Sequence, residues 1–345
     1  MRAAYYEKFG GPIQIISLPD PSPPEDGVVV KVQASGLCLS DWHGWMGHDP
    51  DINLPHVPGH ELSGTIAAIG KSVLKFKIGQ RVTVPFVGGC GDCEYCRAGD
   101  QQVCNEQFQP GFTAWGSFAE YVAIRYADEN LVLLPESLDH ISAASLGCRF
   151  VTAYRAIKDQ GQLKADQTLA VHGCGGVGLS AIQIAKALGA RVIAVDISDE
   201  KCGLASKIGA DYTINATNTD VIKAIRELSQ GGADLSIDAL GHTETFLNSI
   251  QCLRKRGKHI QVGLLTGQHV TPAIPMPLVI ANELEILGSH GMQAHKYEEM
   301  FALIEHQNLD LSSMISETIS LDQIPDRLPY LNSKGTPGIS IINSF

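Results

Sequence analysis

The sequence predicts an α/β chain of two domains, one mostly antiparallel β and the other a doubly wound parallel sheet. Three observations lead there. At 345 residues the chain exceeds one comfortable core, and two domains are the natural division. Up to about Leu146, short β-type runs are punctuated by Gly and Pro. Beyond Leu163, strands and helices alternate, the pattern of a parallel sheet covered by helices on both faces.

Composition narrows the function before any motif is read. The chain is 44% hydrophobic and 18% charged, ordinary for a globular enzyme. A net charge of −11 argues against a nucleic-acid partner, which needs clustered Lys and Arg. The N-terminal residues lack an apolar core, so no secretory signal is expected. The uncharged stretches 168–185 and 264–282 carry glycines or Pro272, Pro275 and Pro277, so neither reads as a membrane span. A cytoplasmic protein is expected, in which nine cysteines point to metal or catalysis rather than disulfides.

In the first half, strands are expected over 28–32, 62–69, 81–84 and 118–124, with Pro19, Pro21, Pro23, Pro24, Pro55 and Pro58 marking the turns. Cys90, Cys93, Cys96 and Cys104 follow the spacing C-x2-C-x2-C-x7-C. Four matched thiols suit a closed, structural tetrahedral zinc site. One iron–sulfur motif also begins C-x2-C-x2-C, but nothing else in the chain supports electron transfer. Earlier lies a second cluster, in which Cys38, Ser40, Asp41 and His43 fall within six residues, followed by His60-Glu61 and, far on, Cys148. A catalytic zinc takes three protein ligands and keeps its fourth position open, and Cys38, His60 and Cys148 are the candidate ligands. Taken singly, Cys38 would read as a small buried hydrophobe and His60 as a satisfied core histidine.

The second half opens with strand 168–172, then Gly173-Cys174-Gly175-Gly176-Val177-Gly178, then helix 179–188. Strand 191–195 ends at Asp196, 23 positions after Gly173. Helices 200–208, 220–228 and 243–253 alternate with strands 212–214, 235–238, 259–262 and 285–287. A G-x-G-x-x-G run is weak alone and strong between a strand and a helix with an acidic residue downstream. Gly173 permits the tight turn, Gly175 lets backbone N–H groups approach a pyrophosphate, and Gly178 lets the helix pack on the strand. The helix N-terminus adds partial positive charge. The Asp196 carboxylate would accept from ribose hydroxyls and repel a 2′-phosphate, which predicts NAD over NADP.

With these residues in hand, the chain resembles the zinc-dependent alcohol dehydrogenases of the medium-chain dehydrogenase/reductase superfamily over essentially its whole length. Gly59-His60-Glu61-x-x-Gly64-x5-Gly70-x-x-Val73 matches the family's zinc signature, and the four-cysteine lobe, the glycine turn and Gly147-Cys148 fall in the family's order. The resemblance implies a GroES-like catalytic domain over 1–148 and 289–345 with a zinc lobe near 88–105, and a Rossmann NAD-binding domain over 149–288. It implies two zinc ions per chain, NAD, a small alcohol or aldehyde substrate, and a homodimer or homotetramer. Two cysteines and one histidine are the family's own catalytic ligand set.

Among site residues, the resemblance implies that Ser40 hydrogen-bonds the activated alcohol and His43 relays its proton to solvent. Asp41 orients the ligating histidine, and Glu61 lies behind the metal. Lys201 assists ribose binding, Gly176, Val177 and Val262 join the cofactor site, and Phe86 lines the substrate pocket. The bulky residues Trp45 and Trp115 are also expected at that pocket. Where the family often has Arg or His after the first zinc cysteine, this chain has Leu39, which predicts looser cofactor binding. Two other readings stand beside this one. Polyol dehydrogenases commonly replace the third zinc cysteine with glutamate, so Cys148 favours simple alcohols. A non-enzymatic protein on the same scaffold would have no use for the intact ligand and relay set.

Overall fold

A computed structural model describes residues 1–334 and 337–345. The strands in chain order are β1 (Arg2–Tyr5), β2 (Gln14–Ser17), β3 (Val28–Leu37), β4 (Glu61–Ile69), β5 (Arg81–Thr83), β6 (Tyr121–Ile124), β7 (Val132–Leu133), β8 (Thr168–His172), β9 (Arg191–Asp196), β10 (Tyr212–Asn215), β11 (Ala233–Asp238), β12 (Leu253–Gln261), β13 (Glu285–Gly288), β14 (Ile315–Ser320) and β15 (Ile339–Ser344).

The chain divides into two units, and the first comprises Met1–Val151, Gly291–Ala302 and Ile315–Phe345. Its main sheet runs β14-β15-β3-β4-β5-β7, with β6 also on β3. All pairs are antiparallel except β14 on β15. Alternation makes the sheet: in β3, Val28, Val30 and Val32 are buried, while Lys31 and Gln33 face water, the period-2 signature of a sheet with one covered face. Their core partners are Leu62, Ile66, Val82, Val84, Val122 and Ile124. A second cluster gathers Tyr6, Leu37, Trp45, Phe118, Leu321 and Ile342. The end of β3 delivers Cys38, and the start of β4 carries His60 into Glu61.

The second unit comprises Thr152–His290 and Leu303–Met314. Its six strands are all parallel, in the order β10-β9-β8-β11-β12-β13. Strand β8 is buried throughout, as expected of the middle of a sheet covered on both faces. Segment 303–314, expected with the first domain, clusters with this unit instead: Gln183 of the helix Gly176–Ala187 donates to the Asp310 carbonyl at 2.8 Å and to Ser313 Oγ at 2.9 Å. β12 starts at Leu253, six residues before the expected strand, because its pairing with β11 begins at Ala233↔Leu253 and shifts register before resuming at Leu235↔Lys258. Among the described residues, no helix is long and apolar enough to cross a membrane.

Candidate metal centres and nucleotide turn

Asp41 organises the first site. Cys38 precedes the short helix Leu39–Trp45, and its backbone N–H donates to Asp41 Oδ2 at 3.0 Å. The other oxygen, Oδ1, accepts from Gly59 N at 3.1 Å and from His60 Nδ1 at 2.8 Å. Gly59 has φ +104 and its Cα lies against Phe118, where a Cβ would collide at 2.5 Å; glycine is required for this close approach. His60 is fully buried. With Nδ1 donating to Asp41, its Nε2 has no hydrogen-bond partner among the described residues.

That orphaned nitrogen, the sulfurs of Cys38 and Cys148 and a Glu61 carboxylate oxygen all lie within 4.8 Å of one another. A buried lone pair without a partner is costly, and a metal ion beside two thiols is the chemistry that satisfies it, so the donor set fits zinc. The thiols share a hydrogen bond: this contact pulls Cys38 well below an ordinary thiol, with His60 and Arg149 helping against burial. The same contact, with burial, pushes Cys148 well above. Burial works to lower the His60 pKa, but the Asp41 carboxylate and Cys38 together hold it well above its usual value.

Arg149, next to Cys148, was invisible to sequence reasoning. Its Nε donates to Glu61 Oε1 at 2.9 Å and its Nη2 to Oε2, closing a bidentate pair in which both side chains are buried. The Arg149 backbone N–H adds a third donor at 3.2 Å. Burial pushes the Glu61 carboxyl up while the guanidinium pulls it back toward the ionised form. Removing one partner of such a pair costs about 3–5 kcal/mol through the charge left unpaired. Tyr297 is also fully buried, and its phenol is pushed up by burial and by Cys148 and Glu61.

The aromatic neighbours differ from expectation. Phe86 stands edge-on to His60 at 6.1 Å, and Phe112, which no motif flagged, lies closer at 5.1 Å. Trp45 is a core residue, 8% exposed, with its indole N–H on the Gly11 carbonyl at 2.9 Å. Trp115 is 40% exposed, donates to the Pro55 carbonyl and packs edge-on against Tyr5. Trp45 is thus part of the core, while Trp115 stands at the surface. An indole N–H seeks an acceptor, and for each the acceptor is a backbone carbonyl.

Ser40 Oγ sits 3.7 Å from Cys38 Sγ. His43 is half-buried, and its Nδ1 lies 2.9 Å from His48 Nδ1. Burial, then the neighbouring His48, lowers the His43 pKa.

The four-cysteine lobe forms the second centre. The sulfurs of Cys90, Cys93, Cys96 and Cys104 lie within 4.8 Å of one another, and all are free thiols. Backbone N–H groups of Asp92 and Cys93 point at Cys90 Sγ, and those of Cys90 and Glu106 at Cys104 Sγ, at 3.3–3.4 Å. N–H groups of Cys96 and Asn105 bring Cys93 down to about 6, while burial pushes the Cys96 and Cys104 thiols up. The geometry fits a closed zinc site. Asn130 anchors the lobe through both its amide groups to Gly89, at 2.8 and 2.9 Å.

In the second unit, Gly173 takes φ +97 and the helix Gly176–Ala187 starts from Gly175 without a side-chain cap. A Cβ on Gly175 would meet nothing within 4 Å, so there is open space above the turn. A Cβ on Gly178 would run into the Gly173 carbonyl. An uncapped helix N-terminus with room over it is a fitting cradle for a pyrophosphate. Asp196 Oδ2 accepts from Cys174 N at 2.8 Å and Oδ1 from Ser198 N at 3.0 Å, which places the carboxylate beside the turn. Lys201 lies one turn into the helix Asp199–Ile208, and Val262 follows β12 with its N–H on the Asp238 carbonyl.

Comparison with known proteins agrees with this geometry. Residues 24–136 match the alcohol dehydrogenase GroES-like domain, and residues 176–306 match the zinc-binding dehydrogenase family. An alcohol dehydrogenase of Geobacillus stearothermophilus is 34% identical over 84% of each chain. An NAD-dependent alcohol dehydrogenase of Sulfurisphaera tokodaii is 33% identical over 99% of each. The benzyl alcohol dehydrogenase structure from Acinetobacter calcoaceticus superposes with a TM-score of 0.92 at 27% identity, covering 100% of this chain and 99% of that one. The chain belongs to the zinc-dependent alcohol dehydrogenases of the medium-chain dehydrogenase/reductase superfamily.

Proposed function

We propose that the protein reversibly oxidises primary or secondary alcohols to aldehydes or ketones, with transfer of a hydride to NAD+. The observation that carries this reading is the buried, partnerless His60 Nε2 converging with Cys38 and Cys148. These three residues would hold one zinc, and Cys90, Cys93, Cys96 and Cys104 a second, structural one. Bound there, the catalytic metal supplies a Lewis acid that makes an alcohol proton labile near neutral pH, and NAD supplies the hydride acceptor.

The chain's own groups do the rest. Asp41 fixes the tautomer and angle of His60. Ser40 takes up the alcohol's hydrogen bond, and His43 carries the proton away, histidine being the side chain that titrates near neutrality unaided. Arg149 pins Glu61 behind the ligands, so Glu61 would first have to loosen that pair before approaching the metal. Phe86 and Phe112 supply an apolar wall for the substrate. Gly173, Gly175, Gly176, Val177 and Gly178 would cradle the pyrophosphate, Asp196 with Lys201 would hold the adenosine ribose, and Val262 would close the cofactor site.

A homodimer or homotetramer in the cytoplasm completes the reading. β13 is an edge strand, and the same unit exposes Leu264, Val270, Ile274, Met276 and Ile280, apolar side chains of the type that subunit contacts cover. Nine free thiols suit a reducing compartment. NADH formation from NAD with ethanol, butanol, benzyl alcohol and sorbitol tests the activity. Turnover on the simple alcohols, lost in Cys148→Ser together with one zinc, is the expected result. A zinc-loaded enzyme that turns over none of them would sink the reading, and one preferring sorbitol would move it to the polyol class.

A further inference from the structure

We propose that His48 is the outer station of the proton path, so that a proton reaching His43 leaves the protein through His48. This rests on the reading of His43 as carrier of the alcohol's proton and adds a residue to it. Two Nδ1 atoms 2.9 Å apart are hydrogen-bonded only when one carries a proton and the other a lone pair. His43 is half-buried and His48 exposed, so the bond runs from the site-bearing helix toward water.

The juxtaposition is built by the backbone. The helix Leu39–Trp45 ends with Met46 N on the Trp42 carbonyl, Gly47 N on Gly44 and His48 N on the His43 carbonyl at 3.0 Å. Gly47 takes φ +77, and a Cβ there would meet the Phe9 ring at 2.9 Å. That reversal, which glycine takes without strain, folds His48 back over His43. The Trp42 ring stands edge-on to both imidazoles, at 5.0 and 5.7 Å, and holds the pair together.

The transfer balances without another reactant. At the start His43 carries Nδ1–H with a free Nε2 lone pair, and His48 carries Nε2–H with a free Nδ1 lone pair. A proton binds His43 Nε2, the Nδ1 proton crosses to His48 Nδ1, and the His48 Nε2 proton goes to water. One proton has left and no electrons have moved; the reverse sequence delivers a proton during aldehyde reduction. The starting tautomers return when His48 takes a proton from water at Nε2 and hands its Nδ1 proton back to His43 Nδ1, while the half-buried His43 gives its Nε2 proton to water.

The test compares the zinc- and NAD-loaded wild type with His48→Gln, His43→Gln and the double variant. Glutamine can still hydrogen-bond His43 but cannot pass a proton through itself. On mixing with alcohol, proton release read with a pH indicator should slow about tenfold in His48→Gln, less than loss of a direct acid–base group costs, because water partly replaces an outer station. The KM for alcohol should hold, added imidazole should restore the rate, and the double variant should be no slower than His43→Gln. Nitrogen-resolved NMR of the wild-type holoenzyme should show one protonated and one bare Nδ1 in the pair. A slow His43→Gln beside an unchanged His48→Gln overturns the exit role and leaves the His43 reading standing. Two unchanged variants overturn both. A slow His48→Gln that imidazole does not rescue, or two bare Nδ1 atoms, reduces His48 to packing and also overturns the proposal.

Discussion

Asp41 divides two carboxylate oxygens among three donors: the Cys38 and Gly59 backbones and the His60 ring. One side chain thereby sets the helix start, the turn before β4 and the histidine tautomer. The residue types of this site are readable in the sequence because Cys38, Ser40, Asp41 and His43 are neighbours in a motif. Arg149 is not, since its partner Glu61 lies 88 positions away and no spacing rule links them. Phe112 is silent for the same reason: an aromatic in a loop carries no periodic signal.

Two single residues carry the cofactor predictions. Asp196 sits beside the glycine turn, where its charge would oppose a 2′-phosphate, so Asp196→Gly should raise the kcat/KM ratio of NADP to NAD by at least about tenfold, or ~1.4 kcal/mol. An unchanged ratio removes Asp196 from ribose recognition. Leu39, first residue of its helix and 39% exposed, offers no charge where the family resemblance implies one. Leu39→Arg should tighten NADH binding, measured by fluorescence titration, and slow its release. An affinity that stays level counts against the missing charge as the cause.

At the scale of elements, strand and helix types follow from period and punctuation, while their ends follow from pairing. β8 and the glycine turn are legible because a strand with an apolar centre, Leu169-Ala170-Val171, runs straight into a glycine turn. The start of β12 is not, because Arg254, Lys255 and Arg256 lack strand character and are held by the β11 ladder. Trp45 shows the limit for side chains: bulk near a motif does not say which face of the helix it occupies.

The four-cysteine lobe is legible and leads to its own prediction. Short of apolar contacts, a loop of this length gains its order from metal, worth about 10 kcal/mol or more in small zinc sites. Cys93→Ser should therefore lose one zinc per chain, measured by atomic absorption, and open 88–105 to proteolysis, while the zinc at Cys38, His60 and Cys148 remains. Retention of two ions per chain would show that the lobe is not a zinc site.

For the molecule as a whole, the buried histidines of the parallel sheet contribute to the response to acid. His172 on β8 is pushed down to about 3 by burial, with His259 adding to the effect, and His259 on β12 is pushed down to about 4, chiefly by burial. Both rings stay neutral in the fold, where His259 Nδ1 meets Ser249 Oγ at 2.7 Å. In the unfolded chain both take up protons below the ordinary value of 6.5. The unfolded state then binds more protons, so stability is full above pH 6.5 and falls as pH drops. The fall continues to about 4 for His259 and about 3 for His172, at up to about 1.4 kcal/mol per pH unit for each ring. Guanidinium unfolding of the full chain between pH 6.5 and 4 measures the slope. His259→Gln, whose amide can still reach Ser249, should flatten it by up to the share of one ring, and because both proteins carry the same metal sites, proton-driven zinc loss cancels in the difference. An identical slope in variant and wild type would remove His259 from the acid response.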